Sequence, residues 1–275
     1  GSRVEKSLLI TDADRFADHE KIQYYINLYG ADYVDAMKQI TDHISTPVLD
    51  LYEAGKLSGL TEVLFIERCI RLLKPGGRMG IVLPEGVLNN TNLQSVRELF
   101  EGMAKIVLIT SIPQDVFMAS GATVKPSLLF FKKFTDEERV QFDNIKQAAK
   151  EEVTDKYKEQ LDALEAFLTD RKNPADEKKA KRIEKRALDA KIATETWAIV
   201  KEKFDYTIPI AQVQKAGITT TGAACENELI DLVKEYTPYR KANHLWTTKK
   251  LNYKYKIDED KVIRVDQDSN TKELC

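Results

Sequence analysis

Helical spacing of apolar residues is clearest over residues 61–74, TEVLFIERCIRLLK. The apolar positions form one face that is widened at its sides: Val63, Ile66, Ile70 and Leu73, with Phe65, Cys69 and Leu72 beside them. Thr61 can cap this helix, Lys74 suits its last turn, and Pro75 stops it. The pattern therefore predicts a helix over residues 61–74.

Three short apolar runs follow, and they are typical of strands. Residues 79–83 (MGIVL) are apolar at almost every position, which favours a strand buried on both faces, as in a parallel sheet. Residues 105–110 (KIVLIT) and 127–131 (SLLFF) have the same character. Between the first two runs, the polar residues 89–92 supply caps for a helix over roughly residues 92–102. This order of helices and strands predicts an α/β fold with a right-handed layer arrangement.

The loop between the last two strands decides their relative direction. Residues 111–125 contain Pro113 and Gly121 and show no helical period. A parallel crossover needs about a dozen residues or more, usually as a helix. We therefore predict that strands 105–110 and 127–131 are antiparallel neighbours at one edge of the sheet.

Residues 136–203 are densely charged, with mixed signs and a helical apolar period that is broken at Asn173-Pro174. The pattern predicts two long helices packed as an antiparallel hairpin. A solvated spacer or docking arm is favoured over direct chemistry for this hairpin. The pattern over residues 204–275 predicts an irregular stretch that contains Pro and Gly, then a short helix over 226–236, and then a polar tail.

These changes of pattern predict three parts of the chain. They are an α/β part (residues 1–135), the helical hairpin (136–203) and a small mixed C-terminal segment (204–275).

Composition and charge narrow the class of protein. The 275 residues carry a formal net charge of −2, which gives no indication of nucleic-acid binding. A local basic groove would still be enough for a protein to bind nucleic acid. No apolar run approaches the length needed to cross a membrane. Cys69, Cys225 and Cys275 are far apart and odd in number, which indicates a reducing compartment, the cytoplasm. The scattered histidines predict no metal site.

Two loops are predicted to meet beyond the carboxyl ends of the strands, where open α/β sheets bind their ligands. Pro84, Glu85 and Gly86 follow the first strand, and residues 111–125 follow the second. Pro84 cannot donate a hydrogen bond to the ladder and so ends its strand. Gly86 lets the backbone approach a ligand closely.

The segments TEVLFIERCIRLLKPGGRMGIVLPEGVLNN and DVFMASGATVKPSLLFFKK closely resemble the second half of the N6-adenine DNA methyltransferases. The resemblance is nearest to the modification (M) subunits of type I restriction–modification systems. It is strong over residues 60–134 and looser over residues 205–222. It implies the C-terminal half of a Rossmann-like methyltransferase sheet and transfer of a methyl group from S-adenosylmethionine to a flipped-out adenine of duplex DNA.

Two motifs of these enzymes do not occur in this sequence. One is the Gly-rich loop that binds S-adenosylmethionine, and the other is the Asn/Asp-Pro-Pro-Phe/Tyr loop that holds the target amino group. In type I subunits a Gly-Ser-like start follows that tetrapeptide, and GSRVEKS fits there. We therefore expect a fragment that is inactive alone, with the missing N-terminal half and the specificity (S) subunit as partners and the restriction (R) subunit as a further candidate.

The resemblance also implies roles for two aromatic residues. Phe117 occupies the place of the aromatic residue that stacks on the flipped base, whereas its residue type alone favours packing under its own loop. Phe65 matches an aromatic residue that borders the adenine of the cofactor, and a core position in its helix is an equal alternative.

Two charged residues near the predicted ligand-binding edge of the sheet could each have more than one role. Glu85 could be a general base, but in this family a tetrapeptide loop positions the amino group, so a role in loop geometry is favoured. Lys125 could meet a phosphate, but a solvated side chain is favoured. The competing hypothesis for the whole chain is a non-catalytic protein-docking module with a methyltransferase-like remnant.

Overall fold

The structure is a computed structural model that describes residues 2–11, 18–245, 253–258, 261–266 and 272–274. The chain forms two compact units, Gly1–Glu226 and Asn227–Cys275. Gly1 and Cys275 themselves lie outside the described residues. The predicted part boundaries at residues 135 and 203 stay predictions.

Nine α-helices and nine strands occur in the described residues, together with short 3-10 helices. The helices are α1 (His19–Tyr29), α2 (Ala31–Thr41), α3 (Thr61–Leu72), α4 (Gly86–Asn89), α5 (Gln94–Glu101), α6 (Asp136–Lys156), α7 (Lys158–Thr169), α8 (Ala175–Lys203) and α9 (Leu229–Ala242). The strands are β1 (Arg78–Pro84), β2 (Ala104–Ser111), β3 (Pro126–Lys133), β4 (Ile210–Gln212), β5 (Ala216–Ile218), β6 (Ala224–Asn227), β7 (Tyr253–Asp258), β8 (Lys261–Asp266) and β9 (Lys272–Leu274). No helix among these residues is long and apolar enough to cross a bilayer.

The central sheet has the strand order β1-β3-β2-β4, and the predicted α/β class is confirmed. β2 and β3 are antiparallel, as predicted. Their predicted position at an edge is wrong, because β3 lies between β1 and β2, and β4 pairs in parallel with the outer side of β2. β4 is only three residues long and follows the hairpin, so no local sequence pattern predicts this strand.

β1 is buried on one face only, so the prediction of burial on both faces in a parallel sheet is wrong. Leu83 is 2% exposed, whereas Val82 beside it is 49% exposed. Among the described strands, β1 pairs only with β3, and that pairing is antiparallel. A Cβ atom at Gly80 would lie 2.7 Å from Cε1 of Phe130, so glycine lets this ring lie across the strand on its open face.

α3 packs on the buried face of β1 through the predicted residues Val63, Ile66 and Ile70, each of which is fully buried. The predicted widening of this face is wrong for two residues, since Phe65 is 62% and Leu72 69% exposed.

α3 is also shorter than the predicted helix. It ends at Leu72, so Lys74 lies beyond it, because the residue before Pro75 is disfavoured in helical conformation. Thr61 is the first helical residue rather than the cap, and its hydroxyl donates to the carbonyl of Ser2 at 3.1 Å.

A buried carboxylate ties α3 to the preceding loop. Glu67 is fully buried, and its two oxygens accept hydrogen bonds from the backbone N–H groups of Glu53 (3.1 Å) and Ala54 (2.7 Å). Arg71 forms an ion pair with the same carboxylate and donates to the carbonyl of Leu51 at 3.2 Å. The loop is thereby held in place by a satisfied, charge-assisted network.

The predicted helical hairpin is confirmed, with α8 packed against α6 and α7 and a turn at residues 170–174. Its first arm is two helices, α6 and α7, that meet at Tyr157. Thr135 and Glu138 form a capping box at the start of α6. At the base of the hairpin, Phe142 packs in a buried aromatic cluster with Phe134 and Phe204.

In the second unit, α9 replaces the predicted helix 226–236 and is longer than predicted. β7, β8 and β9 form an antiparallel three-stranded sheet in part of the predicted polar tail. Cys69 and Cys225 are free thiols.

Candidate functional site

A salt bridge joins the two loops that were predicted to meet. Nζ of Lys125 lies 3.2 Å from Oε2 and 3.3 Å from Oε1 of Glu85. The backbone N–H of Glu85 also donates to the carbonyl of Lys125 at 3.0 Å. Glu85 thus links its loop to Lys125, and its role in loop geometry stays a prediction. Lys125 is bound by the same pair instead of being only solvated, and both side chains are partly exposed.

Pro84 and Gly86 lie on either side of this salt bridge. Pro84 is the last residue of β1, opposite Pro126 in the antiparallel register with β3. Gly86 begins the short helix α4, and no atom of the described residues outside its immediate chain neighbours and its own helix backbone lies within 4 Å of the point where a side chain would start. Space is therefore open beside the backbone at Gly86, and the close approach of a ligand there stays a prediction.

Phe117 lies on a 3-10 helix, Gln114–Ser120, so the expectation of an irregular loop over residues 111–125 is wrong. Gly121 ends this helix with a φ of +81°, a left-handed conformation that glycine adopts without strain. Phe117 is half-buried, while Met118 and Val124 nearby are 43% and 53% exposed. Phe117 is therefore neither a fully packed core residue nor a freely exposed one.

Three buried oxygen atoms near the carboxyl end of β2 have no hydrogen-bond partner among the described residues. They are Oγ1 of Thr110, Oγ of Ser111 and Oδ1 of Asp115. Unsatisfied buried polar atoms are rare in folded proteins and mark places where a ligand or water can bind. These three residues were not among the site residues predicted from the sequence. Their signal is polar side chains directly after an apolar strand, at the edge where α/β sheets bind ligands.

Phe65 lies at a separate apolar groove of about 380 Å³ beside β1. The groove is lined by Thr61, Glu62, Phe65, Ile81, Val82 and Leu83. Phe65 and Val82 are both large apolar residues with about half or more of their surface exposed. Phe65 is thus not covered by the described residues, and its place beside the adenine of the cofactor stays a prediction. Phe117 does not line this groove, so the structure does not bring the two aromatic residues together in it.

A larger open concavity of about 820 Å³ lies on the helical hairpin, lined mostly by charged residues of α6 and α7 such as Glu151, Asp155 and Asp162. It contains none of the predicted site residues. We place the candidate site at the strand ends, where the loops, the unsatisfied oxygens and the apolar groove occur.

The model of the family N-6 DNA Methylase matches residues 54–202, more than half of the chain. This match includes β1, β2, β3, both loops of the candidate site and most of the hairpin. No protein of curated function matches the chain.

Three solved structures share short stretches with the chain. A protein from Listeria monocytogenes described as a class I S-adenosylmethionine-dependent methyltransferase is 23% identical over 32% of this chain and 27% of its own, with a TM-score of 0.29. The M protein of the type I restriction enzyme EcoKI is 27% identical over 29% of this chain and 16% of its own, with a TM-score of 0.27. A chain of a type I restriction–modification system is 33% identical over 28% of this chain and 16% of its own, with a TM-score of 0.26. The chain therefore spans only about a sixth to a quarter of the length of these proteins.

Proposed function

The chain belongs to the N-6 DNA methylase family, and on this premise we propose that it is part of a site-specific DNA adenine-N6 methyltransferase. The observation that carries the proposal is the position of the family match, which covers the sheet and both loops of the candidate site. We propose further that the parent enzyme is the modification subunit of a type I restriction–modification system. The resemblance of residues 60–134 to such subunits supports this finer assignment.

The loop that contains Phe117 offers an accessible aromatic residue at the edge of the sheet where a flipped adenine would be held. A base taken out of the duplex loses stacking with its neighbours, and an aromatic side chain restores part of it. Glu85 and Lys125 hold the neighbouring loop in place through their salt bridge and backbone hydrogen bond. The open backbone at Gly86 leaves room for the base or its sugar.

S-adenosylmethionine supplies the methyl group when it is bound to the parent enzyme. The groove at Phe65 fits one end of this cofactor, because an apolar, open groove with an exposed aromatic ring suits an adenine ring. Phe65, Ile81 and Val82 would border that ring. The chain has no Gly-rich loop to hold the rest of the cofactor.

A missing N-terminal half would supply the cofactor loop and the catalytic tetrapeptide. The open face of β1 supports this, since Val82 is 49% exposed there and β1 has one strand partner among the described residues. An unpaired edge of this kind accepts a further strand. Duplex DNA and the specificity subunit complete the proposed set of partners, with the restriction subunit as a further candidate.

The test is methylation by a reassembled enzyme. The chain is co-expressed with an N-terminal segment that carries the Gly-rich loop and the tetrapeptide, and with the specificity subunit, in a host without adenine methylases. We expect N6-methyladenine at discrete genomic sites, mapped by single-molecule sequencing, and none when the tetrapeptide Asn is replaced by Ala.

The second candidate function is a non-catalytic docking module, which is favoured by the absent motifs and by the long helical hairpin. A folded, purified complex that contains the chain but leaves the DNA unmethylated would support this candidate and contradict the proposed enzyme.

A further inference from the structure

The tip of the helical hairpin carries a group of basic side chains that form no ion pair within the described part of the chain. They are Arg171, Lys172, Lys178, Lys179, Arg182 and Arg186, and all are exposed or half-exposed. Three of them, Lys178, Arg182 and Arg186, follow one another at intervals of four residues on α8. Residues four apart lie on the same face of a helix, so these three form a basic stripe.

Two acidic side chains near the stripe are paired with lysines outside it. Glu184 is paired with Lys181 at 2.7 Å, and Glu165 of α7 is paired with Lys185 at 2.6 Å. Asp189 is exposed and lies three positions after Arg186, at the end of the stripe away from the tip. None of these acids forms an ion pair with the stripe within the described residues, and Arg182 and Arg186 are exposed to solvent.

Two further acids, Asp176 and Glu177, lie in the first turn of α8. Acidic residues in that position interact with the positive end of the helix dipole. These two acids therefore interact mainly with the helix dipole at the tip. They reduce the positive charge of the stripe less, because the stripe extends away from the tip along the helix.

The spacing of the stripe suits a phosphate backbone. Four helical residues rise about 6 Å, so the stripe from Lys178 to Arg186 extends about 12 Å. One strand of duplex DNA presents a phosphate about every 3.4 Å along the axis, so several phosphates lie within reach of the three side chains. Two of the three are arginines, whose planar guanidinium groups bind phosphate oxygens in pairs.

The hairpin carries the stripe well away from its own base. Arg182 lies 18 residues before Val200, which is buried at the base of the hairpin, and this separation corresponds to about 27 Å along the helix. A contact made at this distance would involve DNA outside the few base pairs at the target adenine.

We propose that the basic stripe of α8 binds the phosphate backbone of duplex DNA that flanks the methylation site. The proposal rests on the proposed function, in that duplex DNA is the substrate. The contact adds affinity without reading sequence, because phosphates carry no base information. It gives the hairpin a role in substrate binding rather than in chemistry.

The test is the salt dependence of DNA binding by the 275-residue chain. A fluorescein-labelled 30-base-pair duplex is titrated with protein, and anisotropy gives the affinity over a series of NaCl concentrations. The variant combines Lys178→Gln, Arg182→Gln and Arg186→Gln, which remove charge but keep good helix propensity. The matched control combines Lys146→Gln, Lys150→Gln and Lys158→Gln, which are exposed positions on the first arm of the same hairpin.

We expect the stripe variant to bind at least about tenfold more weakly at low salt, and the slope of log K against log salt to fall in magnitude by about two to three, near 0.9 per lost phosphate contact. The control variant should bind within about twofold of the wild-type chain. Circular dichroism checks that all three proteins have the same helix content.

The proposal is overturned if the stripe variant keeps the wild-type slope, if both triple variants lose affinity equally, or if the wild-type chain does not bind the duplex at all. These results are separate from the test of the proposed function. A reassembled enzyme that fails to methylate contradicts that function, while the anisotropy measurements still decide whether the stripe binds DNA.

Discussion

Phe117 is the residue on which the proposed chemistry of this chain depends most directly. It is half-buried on the 3-10 helix Gln114–Ser120, and exposed apolar residues lie beside it at Met118 and Val124. The carbonyl of Phe117 accepts a hydrogen bond from the N–H of Ala122 at 3.1 Å, so its backbone is held within the loop. An aromatic side chain that is positioned but still accessible can stack on a flipped base.

We predict that Phe117→Ala in the reassembled enzyme lowers adenine engagement by about 1–3 kcal/mol, or about 5- to 200-fold, because the stacking surface is lost. Phe117→Trp should be much milder, since it keeps an aromatic face. Methyl transfer to duplex DNA and 2-aminopurine fluorescence at the target position measure the effect. Affinity for S-adenosylmethionine should barely change. Wild-type methylation and flipping by Phe117→Ala would mean that Phe117 only packs its loop.

Glu67 is the residue with the largest predicted effect on stability. Its fully buried carboxylate satisfies two backbone N–H groups and pairs with Arg71. Glu67→Gln keeps the shape but removes the charge and presents an NH₂ group to one of those donors, so we predict a loss of about 2–4 kcal/mol in the free energy of unfolding. Urea unfolding measures it. Glu62→Gln on the same helix is the control, with an expected change below about 0.5 kcal/mol. Equal effects of the two substitutions would contradict the role of the Glu67 carboxylate in holding the preceding loop.

At the scale of elements, the helical hairpin is attached to the sheet through the first turn of α6. Glu138 accepts a hydrogen bond from the N–H of Thr135 and forms salt bridges with Lys105 of β2 (2.9 Å) and Lys132 of β3 (3.3 Å). Burial raises the pKa of Glu138, but the hydrogen bonds from Thr135 and Lys105 outweigh it, so the pKa is lowered overall. The carboxylate thus links the start of the hairpin to two strands.

A carboxylate whose pKa is lower in the folded than in the unfolded state stabilises the folded protein when it is ionised. The contribution of Glu138 is complete above the unfolded pKa of about 4.3 and is lost as the pH falls through the lower folded value. We predict that Glu138→Gln costs about 1 kcal/mol at pH 7 and that the difference from wild type disappears in acid. Urea unfolding between about pH 3 and 7 tests this. Glu151→Gln, which is exposed on the same helix, should follow the wild-type curve, and a Glu138→Gln deficit that persists in acid would contradict the assignment.

At the scale of the whole molecule, the cofactor site that we propose for the parent enzyme is only partly formed by this chain. The groove at Phe65 suits an adenine ring, but no Gly-rich loop is present to hold the remainder of S-adenosylmethionine. We predict that the 275-residue chain alone does not bind this cofactor measurably by isothermal titration calorimetry. The reassembled enzyme, titrated under the same conditions, is the positive control. A micromolar dissociation constant for the chain alone would contradict the prediction.

Several features of the fold could be predicted from local sequence because they follow from local chemistry. Helical periodicity located α3, apolar runs located β1, β2 and β3, and Asn173-Pro174 marked the turn of the hairpin. The short loop 111–125 correctly predicted that β2 and β3 are antiparallel. The helix within that loop was missed, since seven residues of 3-10 helix are too short to show a period.

The sequence by itself determined where α3, β1, β2, β3 and the arms of the hairpin lie and which family the motifs resemble, because periodicity, turn residues and short motifs are local. Only the tertiary structure decided the full strand order β1-β3-β2-β4 and which faces are covered. Apolar composition cannot tell a strand buried on both faces from β1, whose Val82 is exposed. The same holds for the Glu85–Lys125 salt bridge, whose partners are 40 residues apart in the chain. Such contacts depend on how distant segments pack together, and that packing is set by the whole fold rather than by any one stretch of sequence.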